Sequence, residues 1–317
     1  MKTQSNLIST AILKVFAVSG HIFTEQPSGC ISVMEVKQQK ILQEWRASAP
    51  YWERHASTFR VMFAPVTEAL IKDGGIVKGQ SVLDVAGGAG EPSLTIAETL
   101  GPKGSVTYTD AVAEMVTAAQ SEAQRRGVTN ISFRQCSADS LTFESASFDA
   151  VVCRLGVMFF PNPLAALREM LRVTKPGGAL ILVVWPKSEL NPFLHLVTDV
   201  LSRYVETPPA DHDAPGAFRF AEPGSLANIL KEAGARDVRE RLLKFRMEAP
   251  ISIDEFWELR SETSGTLREK LSTLSDRQAT RVAQDVKETV NEFFRGGQMS
   301  FPAQMIIVTG RKQQNHG

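Results

Sequence analysis

The sequence predicts an α/β fold, a largely parallel sheet with helices on both of its faces. Three observations predict it. Between residues 77 and 185, short apolar runs alternate with helix-period segments in a regular β-α rhythm. The first apolar run, Val82-Leu83-Asp84-Val85, passes through Ala86-Gly87-Gly88-Ala89-Gly90 into a helix start at Glu91-Pro92. Such a strand, glycine turn and helix form a loop that can cradle a nucleotide-like ligand at a helix N-terminus. Polar residues then follow the next strands at their carboxyl ends: Asp110, Asp139 and Arg154.

Glu35 to about Ala47 is helix-patterned, with Ile41, Leu42 and Trp45 on one side, and Pro50 is expected to end it. Helical runs follow at Tyr51 to Phe63 and at Pro65 to Asp73, the latter closed by Gly74-Gly75. Trp45, Tyr51, Trp52 and Phe59 make this segment aromatic-rich; they serve as core packing, or Tyr51 or Trp52 folds over a ligand as a lid. The glycine turn opens a helix from Glu91 to Leu100, stopped by Gly101-Pro102. Ser105 to Thr109 is a second strand, and Ala113 to Arg126 a helix ended by Gly127. Asn130 to Arg134 is a third strand, with Ser137-Ala138-Asp139 just past it. Phe148 to Cys153 is a fourth, leading into Arg154-Leu155-Gly156. A helix carrying Leu164, Leu167 and Leu171 is broken by Lys175-Pro176-Gly177-Gly178, and Ala179 to Trp185 is a fifth, wholly apolar strand.

Beyond Trp185 the rhythm changes. Pro192 to Val205 is a helix, Thr207 to Pro215 a Pro-rich loop, Pro223 to Ala233 a helix and Val238 to Met247 a strand. Ser252 with Glu255, and Ser275 with Gln278, are capping boxes for two further helices; Ile251 and Phe256 fit a hydrophobic staple at the first. Met305 to Gly310 is a final strand. Residues 1–33 are expected to be a poorly ordered extension: Leu7 to Val18 looks like a signal sequence, but Lys14 interrupts it and no small-residue cleavage site follows. Residues 34–317 then form one domain. Its core covers about 77–185, 218–247 and 298–312, and helices at 35–73, 192–205 and 252–295 cap the carboxyl edge of the sheet, where ligands bind in such folds.

Composition excludes several classes of function. Lys+Arg and Asp+Glu both total 35 of 317 residues, so no overall basic surface invites nucleic acid. Cys30, Cys136 and Cys153 lie far apart without CxxC spacing, which suggests a reducing compartment and argues against a disulfide framework or structural zinc. No apolar run approaches the roughly 18 residues of a membrane span. A cytoplasmic protein is expected, as a monomer or homodimer.

The chemistry gathers at the carboxyl edge. Asp110 lies 20 residues after Gly90, placed to accept both ribose hydroxyls of an adenosine. Asp139, or the backbone beside it, can meet the adenine amino group. Arg154 sits across the point where the strand order reverses. A dinucleotide fingerprint would need glycine where Gly88-Ala89-Gly90-Glu91-Pro92-Ser93 has Ser93. Asp84 and Glu91 also flank the loop with negative charge, which suits a ligand bearing a sulfonium and an ammonium better than a pyrophosphate.

On these residues the chain resembles the class I S-adenosylmethionine-dependent methyltransferases, and most of all the small-molecule branch that includes the quinone C-methyltransferases. The likeness is carried by residues 82–90, Asp110 with Met115, Ala138-Asp139, Phe148-Asp149 and the run from Leu167 to Gly178. It implies a Rossmann-like, seven-stranded, mostly parallel sheet with an antiparallel last strand. It also implies that Gly87, Gly88 and Gly90 pack on the methionine part of the cofactor, with Asp110 at the ribose, Met115 on the adenine, Asp139 at its amino group and Arg154 by the amino acid end. Asp84, Ala86, Ala111 and Ala138 complete the expected cofactor site. The pair Glu91-Pro92 departs from the quinone enzymes and bears on the acceptor.

The expected reaction is in-line methyl transfer to a small, apolar or aromatic acceptor, the protein mainly orienting the reactants and excluding water. The alternatives are a binding-only regulatory protein that uses the same cofactor, and a nicotinamide-dependent oxidoreductase. No catalytic base is assigned. His195 lies four residues before Asp199, as in a solvated ion pair, and His55 reads as structural or solvated. Asp211-His212-Asp213 resembles a metal cluster only in composition, so no metal is expected. Trp185 either packs in the core or shapes the acceptor pocket.

Overall fold

A computed structural model describes residues 33–206 and 214–314. Three helices lead the chain: α1 (Val33–Arg54), α2 (Ala56–Met62) and α3 (Ala64–Gly74). The alternating core follows as β1 (Ser81–Val85), α4 (Ser93–Leu100), β2 (Ser105–Asp110), α5 (Ala113–Arg126), β3 (Ile131–Gln135), β4 (Phe148–Arg154), α6 (Pro163–Val173) and β5 (Thr174–Val184). Then come α7 (Pro192–Leu201), α8 (Ser225–Glu232), β6 (Arg236–Ala249), α9 (Ile253–Thr263), α10 (Gly265–Ser272), α11 (Asp276–Val290), the two-residue β7 (Phe294–Arg295) and β8 (Gln298–Arg311).

The sheet runs β3-β2-β1-β4-β5-β8-β6, with β7 folded back on β8. The first five strands are parallel, and β8 is antiparallel to both β5 and β6. This is the Rossmann-like order with an antiparallel last strand that the sequence implies. Helices cover both faces, so the middle strands read as unbroken apolar runs. Val82, Leu83, Val151, Val152 and Leu180 to Val184 are all fully buried. Chain order reverses between β1 and β4, which opens a crevice at their carboxyl ends.

Four local features differ from the sequence expectation. Pro50 lies inside α1 instead of ending it. An interior proline forfeits a backbone hydrogen bond and crowds the preceding turn. Packing on both sides of the proline carries the helix through: Ala49 is buried, and the rings of Trp45 and Trp52 meet at 5.9 Å. Lys175-Pro176-Gly177-Gly178 is part of β5, whose pairing with β4 shifts register between Phe148 and Ala150. Gly178 fits there because a Cβ would fall 2.8 Å from the Asp149 carbonyl oxygen. The helix α7 stops at Leu201, before Val205. The short α10 was not anticipated; Ser264 caps it by accepting a hydrogen bond from the Leu267 amide. Both expected capping boxes form, at Ser252 with Glu255 and at Ser275 with Gln278. The segment with Asp211-His212-Asp213, the extension before Val33, and Cys30 lie outside the described residues.

Candidate functional site

The glycine loop leaves β1 through a chain of left-handed conformations. Gly88 and Gly90 have φ of 55° and 110°, and Ala86, a residue with a Cβ, has φ of 59°. Leu155, at the end of the neighbouring β4, is also left-handed, at 62°. Non-glycine residues held in this region cost about 1–3 kcal/mol each and gather where a site demands them. Gly87 is required by close approach: a Cβ there would lie 2.5 Å from the Tyr108 ring. The Tyr108 hydroxyl donates to the Gly88 carbonyl at 2.6 Å. The Gly88 amide in turn donates to Asp110 Oδ2 at 3.1 Å, and the Val112 amide to Oδ1 at 2.9 Å. The loop and Asp110 are therefore one hydrogen-bonded unit.

Beneath the loop the charges are poorly compensated. Asp84 is fully buried; Oδ2 accepts a 2.5 Å hydrogen bond from Ser93 Oγ, whereas Oδ1 has no partner. Burial pushes the Asp84 carboxyl up to about 7, against the hydrogen bond from Ser93 and the charge of Arg154. Burial likewise raises Asp110 to about 6, opposed by the amides of Val112 and Gly88. Arg154 donates to Thr67 Oγ1 and to the Glu91 carbonyl, both at 2.9 Å, and its guanidinium lies 5.3 Å from the Phe63 ring. The Glu91 carboxylate accepts from Arg126 and Thr95, which holds the loop's far end to α5 and α4.

A cavity of about 1220 Å³, including the open solvent at its mouth, spreads from this loop. Of the eleven expected cofactor residues it is lined by eight: Ala86, Gly87, Gly88, Asp110, Ala111, Met115, Ala138 and Arg154. Asp84 and Gly90 lie behind that wall. Asp139 is not brought to the cavity; it is exposed and accepts a 2.6 Å hydrogen bond from Ser137 Oγ, because the turn after β3 directs Ala138 inward instead.

Much of the remaining lining is aromatic. Trp45, Trp52, Phe59, Phe63, Phe159 and Phe160 form it. Trp52 stacks on Phe59 at 4.3 Å, and Trp45 meets Phe159 edge-on at 5.0 Å. Of the two candidate lid residues, Trp52 faces the cavity, while Tyr51 packs under Arg54 and Arg268. Leu155 and Phe159 escaped the sequence analysis; the only signal was their position just after a strand end. Trp185 is a core residue edge-on to Phe63 at 6.1 Å and does not line the cavity. No histidine lines it either. His195 pairs with Asp199 at 2.9 Å and His55 with Glu262 at 2.9 Å. Among the described residues no group of three metal-ligating side chains occurs.

A strand-reversal crevice with a glycine loop and an acid after β2 is a nucleotide-type site on a Rossmann-like sheet, here with its final strand antiparallel. Known proteins agree with it. Residues 67–204 match the ubiE/COQ5 methyltransferase family. The ubiquinone/menaquinone biosynthesis C-methyltransferase UbiE of Pasteurella multocida is 34% identical over 174 residues, 53% of this chain and 62% of that protein. An uncharacterized protein of Mycobacterium tuberculosis is 36% identical over 124 residues, 39% of this chain and 44% of that one. The matches thus span about half the length of these curated relatives. The fold is shared with the YcgJ protein of Bacillus subtilis, at TM-score 0.50 and 23% identity over 80% of this chain and 100% of that one. It is also shared with phosphoethanolamine N-methyltransferase 2 of Haemonchus contortus, at TM-score 0.52 and 16% identity over 91% of this chain and 62% of that one. The core is of the class I S-adenosylmethionine-dependent methyltransferase type and resembles that of the quinone C-methyltransferases.

Proposed function

We propose that this protein transfers a methyl group from S-adenosylmethionine to a small, apolar, aromatic acceptor, at a carbon of its ring. The observation that carries this is one cavity lined by two chemically distinct sets of residues, polar loop and aromatic rings. In the first set the glycine loop and Asp110 stand beside Asp84, a buried carboxyl with an unpartnered oxygen. That uncompensated negative charge suits a ligand bearing a sulfonium and an ammonium, and disfavours a dinucleotide pyrophosphate. When bound, the cofactor supplies a methyl carbon activated by the positive sulfur. Gly87 and Gly88 admit its backbone-hugging part, Asp110 accepts from ribose hydroxyls, and Met115 and Ala138 form the apolar seat of the adenine.

In the second set, Trp52, Phe59 and Phe159 offer ring faces and edges to a planar acceptor. They hold it at the carboxyl edge of β1 and β4 and exclude water, the two tasks an in-line displacement asks of a protein. Ring carbon as the acceptor atom is supported by the activity named for the UbiE relatives.

Titration calorimetry tests the cofactor half: S-adenosylhomocysteine should bind and NAD should not, and the reverse result would end this proposal. Asp110→Ala should weaken S-adenosylhomocysteine by tenfold or more, about 1.4 kcal/mol. Unchanged affinity would remove Asp110 from the site. The acceptor half is tested by incubating the protein with simple hydroquinones and identifying the methylated atom by mass spectrometry and NMR.

A further inference from the structure

We infer that the outer edge of β6 docks a second copy of this chain, strand against strand and antiparallel, centred on Leu242-Leu243. β6 ends the sheet: β8 pairs with it on one side, and among the described residues no strand pairs with it on the other. It is 14 residues long, whereas β3, at the opposite edge, has five. An open edge presents a row of unpaired amides and carbonyls, and proteins ordinarily keep such edges short or covered. Beyond a register shift between Arg236 and Arg239, β6 runs unbroken beside β8 from Arg239 to Ala249. Within that run Leu242 keeps 43% of its surface exposed, set among the exposed charges of Arg239, Arg241, Lys244 and Arg246.

The order of those charges says what fits the edge. Two copies joined edge to edge are related by a two-fold axis normal to the sheet. Residues opposite one another in an antiparallel pair point to the same face, and such an axis keeps every side chain on its own face. The axis therefore passes through a residue, never between two neighbours. Of the registers that pair seven or more residues of the unbroken run, an axis at Lys244 sets that lysine against its own copy and Glu240 against Glu248. An axis at Phe245 sets Lys244 against Arg246, and one at Arg246 sets that arginine against itself. Axes at Leu242 and at Leu243 put no like charges opposite. At Leu242, Glu240 meets Lys244 twice and Leu242 covers its own copy. At Leu243, Glu240 meets Arg246 twice and Arg241 meets Phe245. Opposite charges facing across strands stabilise pairing, and like charges oppose it. The strand is thus its own complement about its apolar centre, and the registers beyond that centre are blocked.

The test is sedimentation equilibrium of the full chain. Wild type should associate to a dimer as concentration rises. Glu240→Lys turns both opposite-charge pairs into like-charge pairs in either register. The double variant Lys244→Glu, Arg246→Glu does the same from the other side, and each should weaken the dimer tenfold or more. Mixed in equal amounts, the two variants should restore a heterodimer, since acid again faces base at both pairs. Glu240 Oε1 also accepts a 2.8 Å hydrogen bond from the Gly224 amide at the start of α8, a bond that the double variant keeps. None of these residues lines the cavity, so S-adenosylhomocysteine should bind wild type and both variants alike, and its failure to bind would bear on the cofactor alone. A wild type that stays monomeric would overturn the inference. So would a dimer that both variants leave unchanged, which would mark another surface. Slow amide exchange over 239–247 in a monomer would place a different segment of the same chain on the edge, and would overturn it too. If the variants failed to fold, wild type alone decides: exchange over 239–247 must slow as concentration rises.

Discussion

At the scale of single residues, the site is governed by two carboxyls held away from water. Asp84 rises from 3.8 to about 7 and Asp110 from 3.8 to about 6, both mainly through burial. A carboxyl whose folded value lies above its unfolded one binds its proton more tightly in the folded state. Ionised Asp84 therefore destabilises the free protein above pH 7, and that penalty is progressively relieved as pH falls from 7 toward 3.8. A cationic ligand favours the ionised form, so affinity for S-adenosylmethionine should rise as pH increases from about 5.5 to 8. Asp84→Asn should flatten that rise, leave the free protein equally or more stable at pH 8, and weaken the cofactor. Calorimetry across this pH range checks all three, and an affinity independent of pH would show that neither carboxyl meets the ligand in charged form.

The flanking acids were legible because a charged residue within an apolar strand is conspicuous in one dimension. Of the pair Ala138-Asp139, only Ala138 lines the cavity, because sequence gives the position of a turn but not which of its side chains points inward.

At the scale of elements, the cap is held by few polar bonds between distant segments. Arg54 and His55 both reach Glu262 on α9, at 2.5 and 2.9 Å. Arg268 of α10 donates to Ser48 Oγ at 2.6 Å, and Trp52 to the Thr263 carbonyl. These bonds fix α1, with Trp45 and Trp52, over the cavity. Glu262→Ala should cost about 1–2 kcal/mol, being a half-buried carboxylate that pairs with Arg54 and hydrogen-bonds His55. Its larger effect should fall on the acceptor: KM rises several-fold while S-adenosylhomocysteine affinity holds. Hydrogen exchange should show faster opening of 45–55 than of β1 or β4. Equal protection in the variant and wild type would mean that apolar packing alone seats α1. None of these partners could be read from sequence, since each joins positions about 200 residues apart. The capping boxes at Ser252 and Ser275 could, because both members lie within four residues.

At the scale of the whole molecule, the β-α core was legible where neighbours in sequence are neighbours in space. β8 breaks that rule: the last strand slots between β5 and β6. The sheet is thus closed by the chain's final segment, and the cap between β6 and β8 is tied at both ends to the core. One hydrophobic cluster runs from Phe59 on α2 through Val82 and Leu182 in the sheet to Phe256 on α9 and Val286 on α11. Core and cap therefore share their apolar burial, and neither has a separate core to melt from. The described chain should unfold in a single calorimetric transition. Because the cavity draws on β1, β2, α5 and β4 and on α1 and α2 alike, a ligand bound in it should move that transition as a whole. At a hundredfold excess over its dissociation constant, S-adenosylhomocysteine should add about 2.7 kcal/mol. For a domain of this size that is roughly 4–5 °C. A cap that melted separately, in a second transition left in place by S-adenosylhomocysteine, would show that the shared cluster does not couple the two sets of lining residues.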